Sequence, residues 1–264
     1  MAPPGTVMHG NDGRVLTFAE MREVLIHQRL QQKLPMELFT IDLRTGKRTV
    51  LQETTHWLGH VQFNPVDPNL IMFCHEGNWH VVDRIWTIRT DGTGLAKRHM
   101  RTMNMEIAGH EFFGPAGKTI WYDLQTPRGE DFWVAAYDLE DGRRRQYHIE
   151  RNEWSVHFNI SPDGKLLAGD GGDSEMVAHA PDGKWLYLFR PRGIPDVADI
   201  SAEGSESLIH PGVLEAEKLV NMSDHDYRLE PNVHFTSDQK WLLFRSNMHG
   251  PIHVYAVELA AAEK

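Results

Sequence analysis

A chain of 264 residues, 41% hydrophobic and 24% charged, is long enough to bury a core and too apolar to stay disordered. Its net charge of −10 leaves no basic stripe for phosphates, so no nucleic-acid partner is expected. No apolar run approaches the length of a membrane span, so no membrane partner is expected either, and the single cysteine, Cys74, cannot form an internal disulfide.

In chain order, the opening MAPPGTVMHGNDG lacks the charged start and apolar segment of a secretion signal, which gives a cytoplasmic expectation. Thr17 followed by Glu20 has the spacing of a capping box, and Val24, Leu25, Leu30 and Leu34 recur at helical intervals. A short N-terminal helix is expected there. LFTIDLRTGKRTV then reads as a pair of outer strands around a polar turn, and Cys74 in IMFCHEG reads as buried packing.

Four later segments share one register: HVQFNPVDP from His60, HEFFGPAGK from His110, HFNISPDGK from His157 and NVHFTSDQK from Asn232. The fourth residue is always apolar (Phe63, Phe113, Ile160, Phe235), and the sixth is Pro65, Pro115, Pro162 or Ser237. A turn follows, then a second apolar run: LIMF, TIWY, LLAG or WLLF. Each unit is therefore strand, tight turn, strand, and most continue into a second pair such as VAAYDLEDGR. The basic triplet Arg143, Arg144 and Arg145 follows Asp-Gly and reads as a solvated turn. The register positions are 50, 47 and 75 residues apart. Periods of about 40 to 50 residues with four strands mark β-propeller blades. The long third interval requires an insertion, and the Pro-, Gly- and acid-rich stretch 191–226 reads as a loop forming a partial lid.

The expected fold is thus all-β, a β-propeller with a short N-terminal helix, forming one domain over 1–264. It covers about four to five blades, which is either part of a larger ring or a small closed one. Equivalent positions in successive blades lie on one rim, so His60, His110, His157 and Asn232 are expected to meet at a channel mouth. His75 and Glu76 in CHEG, Arg84 beside Asp83 in VVDRIW, and Arg228, Glu230 and His234 around Asn232 crowd the same rim. Two chemistries compete for these groups. Imidazoles and carboxylates suit a divalent ion, whereas a neutral imidazole beside a guanidinium suits proton abstraction from a carboxylate-bearing substrate.

HWLGHVQFNPVDPNLIMFCHEG, VDRIW followed by DGTG, GHEFFGPAGK and VHFNISPDGK together resemble the oligogalacturonate lyases, and the resemblance runs from about residue 17 to 260. It implies a seven-bladed propeller, of which this chain lacks roughly the first three blades, with a Mn2+-type divalent cation near the channel mouth. The implied reaction is β-elimination on short oligogalacturonides or a related uronate oligosaccharide, as in pectin breakdown. The resemblance makes His110 the base, Arg84 the residue that holds and neutralises the substrate carboxylate, and His157 a metal ligand. Of a glutamine and a His-Pro-His triplet of the family, only the proline is kept, as Pro231, and Tyr227, Glu230 and Asn232 stand at the other positions. That leaves Glu230 and Asn232 as oxygen ligands beside His157, with His60, His75 and Arg228 assigned to substrate. The competing reading is a non-catalytic TolB-like propeller that binds sugar or protein, since SPDGK is shared with those proteins.

Overall fold

Helix α1 (Phe18–Gln31) starts as the capping box predicts: Thr17 Oγ1 accepts the Glu20 backbone N–H, and the Glu20 carboxylate accepts the Thr17 N–H. No residue of α1 is fully buried; Met21, Leu25, Ile26 and Leu30 are half-buried, and polar contacts add to them. His27 Nδ1 lies 3.2 Å from Asn78 Oδ1, and Asn78 donates to the Glu23 carbonyl at 3.3 Å. Among the described residues every other regular element apart from short 3-10 turns is a β-strand, so the fold is all-β with one α-helix. The computed structural model describes residues 7–195, 197 and 200–259. Among these, no helix is long and apolar enough to cross a membrane.

The chain divides into two compact units, one ending at Gly109 and one starting at His110. In the first, β1 (Met36–Ile41) and β2 (Arg48–Thr54) form a two-stranded ribbon. An antiparallel sheet follows in chain order: β3 (Trp57–Phe63), β4 (Leu70–Glu76), β5 (Ile85–Arg89) and β6 (Ala96–Lys97). Leu38 and Leu51 of the ribbon join Leu58, Ile71, Phe73 and Ile88 of the sheet in one apolar cluster. Cys74 lies in this sheet, fully buried, as its apolar neighbours predict.

The second unit is built on an eight-stranded sheet that joins two meanders. The first comprises β7 (Ile107–Phe113), which enters from the first unit, then β8 (Thr119–Gln125), β9 (Phe132–Asp138) and β10 (Arg144–His148). The second comprises β11 (Phe158–Ile160), β12 (Leu167–Gly169), β13 (Trp185–Gly193) and β14 (Ile209–Asn221). β14 is long enough to pair with β13 and also, in parallel, with β10 over Ile209–Val213. Trp154, Tyr187, Phe189 and Phe132 fill the core beneath it. A three-stranded sheet, β15 (His234–Phe235), β16 (Trp241–Ser246) and β17 (His253–Glu258), completes the described chain.

Two expectations differ from what is seen. The stretch 191–226, read as an inserted loop, contains the whole of β14 and the end of β13, so a large part of it is a paired hairpin rather than loop. Glu215 and Glu217 pair with Arg192 and Arg190 across that hairpin, which explains why so polar a sequence stays extended. Three of its positions, 196, 198 and 199, lie outside the described residues. In the basic triplet, only Arg143 stays in the turn, paired with Asp141. Arg144 and Arg145 begin β10, where Arg145 lies over the Trp121 ring and its aliphatic stem is packed rather than solvated.

Candidate functional site

Three of the four register residues share an uncommon backbone. His60, His110 and Asn232 have φ of 47°, 46° and 49°, in the left-handed region that non-glycine residues avoid at a cost of about 1–3 kcal/mol each. At His60 the cause is visible in the pairing: the β3–β4 register shifts between Gly59 and Gln62, the mark of a bulge that re-aims a side chain out of the alternation. Asparagine tolerates this conformation best among the three. The repeat read from the sequence is thus a repeat of backbone geometry as well as of composition.

In the second unit, His110 and His157 meet edge to face, with ring centroids 4.4 Å apart. Each is held from behind by a buried carboxylate. His110 Nδ1 lies 3.1 Å from Oδ1 of Asp123, which is 2% exposed on β8. His157 Nδ1 lies 2.8 Å from Oδ2 of Asp170, which is fully buried just after β12, and its backbone N–H donates to Oδ1 at 2.8 Å. Burial opposes protonation of His157, but the charge and hydrogen bond of Asp170, with Glu230 and Asp123 nearby, outweigh it and raise its pKa to about 8.

Asp170 also gathers the later loop. Its Oδ2 accepts the Asn232 backbone N–H at 3.4 Å, and its carbonyl accepts the Tyr227 hydroxyl at 2.8 Å. Tyr227 is therefore a buried strut: its hydroxyl is committed and its ionisation is pushed up by burial. Gly171 follows Asp170 at φ 70°, and a Cβ there would fall 2.5 Å from the Trp185 carbonyl and 2.7 Å from the Tyr227 hydroxyl oxygen. His225, buried beside Tyr227, accepts from Ser246 Oγ at 2.8 Å and donates to the Leu229 carbonyl at 2.7 Å, fixing the turn that leads to Glu230. Arg228 and His234 are exposed on either side. The second unit thus brings together His110, His157, Glu230 and Asn232.

The first unit holds a separate cluster. The Arg84 guanidinium, whose side chain is 1% exposed, donates to Glu76 at 2.9 Å and lies 3.2 Å from His60 Nδ1 and 4.5 Å from the Trp79 ring. His60 is the exposed member of this group. Trp79 in turn presses on Gly109, where an added Cβ would sit 2.3 Å from the ring. Arg84, expected to grip a substrate carboxylate, is instead enclosed with a carboxylate of its own protein.

His75, expected to contact substrate, lies inside β4 at 6% exposure, stacked on His56 (centroids 4.4 Å apart) and on Trp86 (4.8 Å). Burial, aided by His56, pushes its pKa down from 6.5 to about 4. It therefore stays neutral in the folded chain and charges first in the unfolded one. Its contribution to stability is full above pH 6.5 and is lost as pH falls toward 4, amounting to about 3 kcal/mol. Thermal melts should show wild type losing stability between neutral pH and about pH 4.5 by more than a His75→Phe variant does. Parallel losses in the two proteins would overturn this assignment.

Two groupings bear on a cation. His60, Cys74 and Glu76 offer ligand atoms within 4.8 Å of one another. Arg84 is already bonded to Glu76 and beside His60, so a divalent ion there would face a fixed positive charge. Around His157 the balance is the opposite: three carboxylates make the locality negative enough to hold an extra proton above neutral pH. An imidazole whose Nδ1 is anchored on a carboxylate, a carboxylate and an amide oxygen are donor types that suit a hard divalent ion.

A sequence model described as oligogalacturonate lyase matches residues 26–262. An oligogalacturonide lyase from Pectobacterium atrosepticum and an oligogalacturonate lyase from Dickeya dadantii are each 28% identical over 229 residues, covering 84% of this chain and 55% of theirs. A solved oligogalacturonate lyase in complex with manganese superposes with a TM-score of 0.71 at 26% identity, covering 97% of this chain and 65% of that one. The chain spans about half the length of the curated relatives it matches.

Proposed function

The chain belongs to the oligogalacturonate lyase family, and from that premise we propose that it cleaves short oligogalacturonides by metal-assisted β-elimination. The observation that carries this reading is the His110–His157 pair, two imidazoles in contact, each backed by a buried aspartate. We read the strand groups β3–β6, β7–β10 and β11–β14 as successive propeller blades, with β1–β2 and β15–β17 as partial ones.

The proton to be removed sits on C5 of a uronide, beside a carboxylate whose charge makes it poorly acidic. His110, in its neutral form, takes this proton; the C5–H electron pair forms the C4=C5 double bond, and the bond from C4 to the bridging oxygen breaks with its electrons leaving on oxygen. Asp123 stabilises the imidazolium that results. A divalent cation, when bound, neutralises the substrate carboxylate so that negative charge can build on it. His157, Glu230 and the Asn232 amide oxygen would hold that ion. In the first unit, Arg84, bonded to Glu76, keeps the exposed His60 oriented.

The test is incubation with di- and trigalacturonate plus Mn2+, following the ultraviolet absorbance of the conjugated unsaturated product. A steady rise is expected. A flat trace, with sugar binding intact by calorimetry, would instead favour the non-catalytic sugar-binding reading.

A further inference from the structure

The two histidines of the pair are supported in the same way at the same spacing. Asp123 follows His110, and Asp170 follows His157, by thirteen residues in each case. That interval carries the chain along one strand, through a tight turn and back along the next, so that each aspartate ends beside its own histidine. Neither carboxylate is solvated: Asp123 is 2% exposed and Asp170 is fully buried. A carboxylate out of water needs donors, and in both cases an imidazole Nδ1 is within hydrogen-bond distance.

We infer that Asp123 and Asp170 are positioning residues which hold His110 and His157 in the tautomer with the proton on Nδ1. A carboxylate can only accept, so Nδ1 must donate, and in the neutral ring the lone pair is then on Nε2. For His110 that lone pair is the base. For His157 it is the ligand atom. Asp170 adds a second function, since the same oxygens take the backbone N–H groups of His157 and Asn232 and so tie two loops to one anion. The catalytic consequence rests on the lyase reading above, but the tautomer assignment does not.

An asparagine in place of either aspartate is nearly isosteric, yet its amide can donate to Nδ1 and stabilise the opposite tautomer, with the proton on Nε2. The wrong tautomer of a catalytic histidine costs on the order of 10⁴ in turnover where that exchange has been made in a serine protease. The experiment is long-range proton–nitrogen NMR on histidine-labelled, metal-free protein at a pH where both rings are neutral. In wild type, both rings should show the Nδ1–H pattern. Asp123→Asn should move His110 alone, and Asp170→Asn should move His157 alone, toward Nε2–H. Wild-type spectra with the proton on Nε2 would overturn the inference without recourse to any variant, as would variants that fold and leave both patterns unchanged.

The kinetic arm separates the two readings. With oligogalacturonide as substrate, Asp123→Asn should lower kcat by about 10² to 10⁴ with little change in KM. Asp170→Asn should weaken Mn2+ binding, measured by calorimetry, by about 10- to 100-fold. Inactive wild type with the expected NMR pattern would reject the lyase assignment and leave the positioning roles standing. Active wild type with an unperturbed Asp123→Asn rate would reject the positioning role of Asp123.

Discussion

His110→Ala is expected, on the proposed lyase reading, to lower the rate of uronide cleavage by at least about 10² to 10⁴ and to leave the protein folded. The size follows from the proposed role: removing the imidazole that packs against His157 removes the proton acceptor, and water at neutral pH is a poor substitute. The fold survives because the side chain is about one-fifth exposed and its loss opens no large cavity. Alanine does carry one further cost, since φ at this position is 46° and a β-carbon without a compensating hydrogen bond is unfavourable there. His110→Asn is therefore the better control. Asparagine tolerates the left-handed backbone, as Asn232 does at the equivalent position, but offers no base. Both variants should be inactive by the absorbance assay, with the asparagine variant melting closer to wild type. Near-wild-type turnover in either would remove His110 from the reaction.

Much of this arrangement can be read from residues alone, and the exceptions share a cause. The helix start was legible because a capping box is local, involving only Thr17 and Glu20. The strand–turn–strand repeat was legible because apolar runs and turn residues alternate at a fixed period, and the three left-handed positions fall where that repeat places them. Asp123 and Asp170 were not singled out. An aspartate within TIWYDLQ or after LLAG looks like an interruption of an apolar strand, and its meaning emerges only when the hairpin brings it against a histidine thirteen residues earlier. The same gap hides the burial of His75 and Arg84, whose polar side chains suggest a rim. Stacking between His56 and Trp86 buries the first, and Glu76 with Trp79 encloses the second. The hairpin of β13 and β14 was hidden for a different reason: cross-strand pairs of arginine and glutamate stabilise a strand whose composition resembles a loop.

If the proposed lyase reading holds, removing the divalent ion with a chelator should abolish turnover and adding manganese should restore it. Elimination next to a carboxylate fails unless that charge is neutralised, and a Lewis acid is worth several kcal/mol of transition-state charge, or a rate factor on the order of 10³. The protein's own residues around His157 cannot take over this task. Asp170 and Asp123 add negative charge, and Glu230 adds more, so without a cation the locality repels a uronate. Glu230→Gln removes one charged oxygen from the donor set and should therefore weaken manganese binding in calorimetry and raise the metal concentration needed for half-maximal rate. His157→Ala should abolish binding, because it removes the only nitrogen donor of the proposed set and takes from Asp170 the imidazole that faces it. A thermal melt checks that this second variant is folded before its binding is judged. Full activity in the presence of excess chelator would show that elimination here proceeds without a metal, and the three carboxylates would then need another counter-charge.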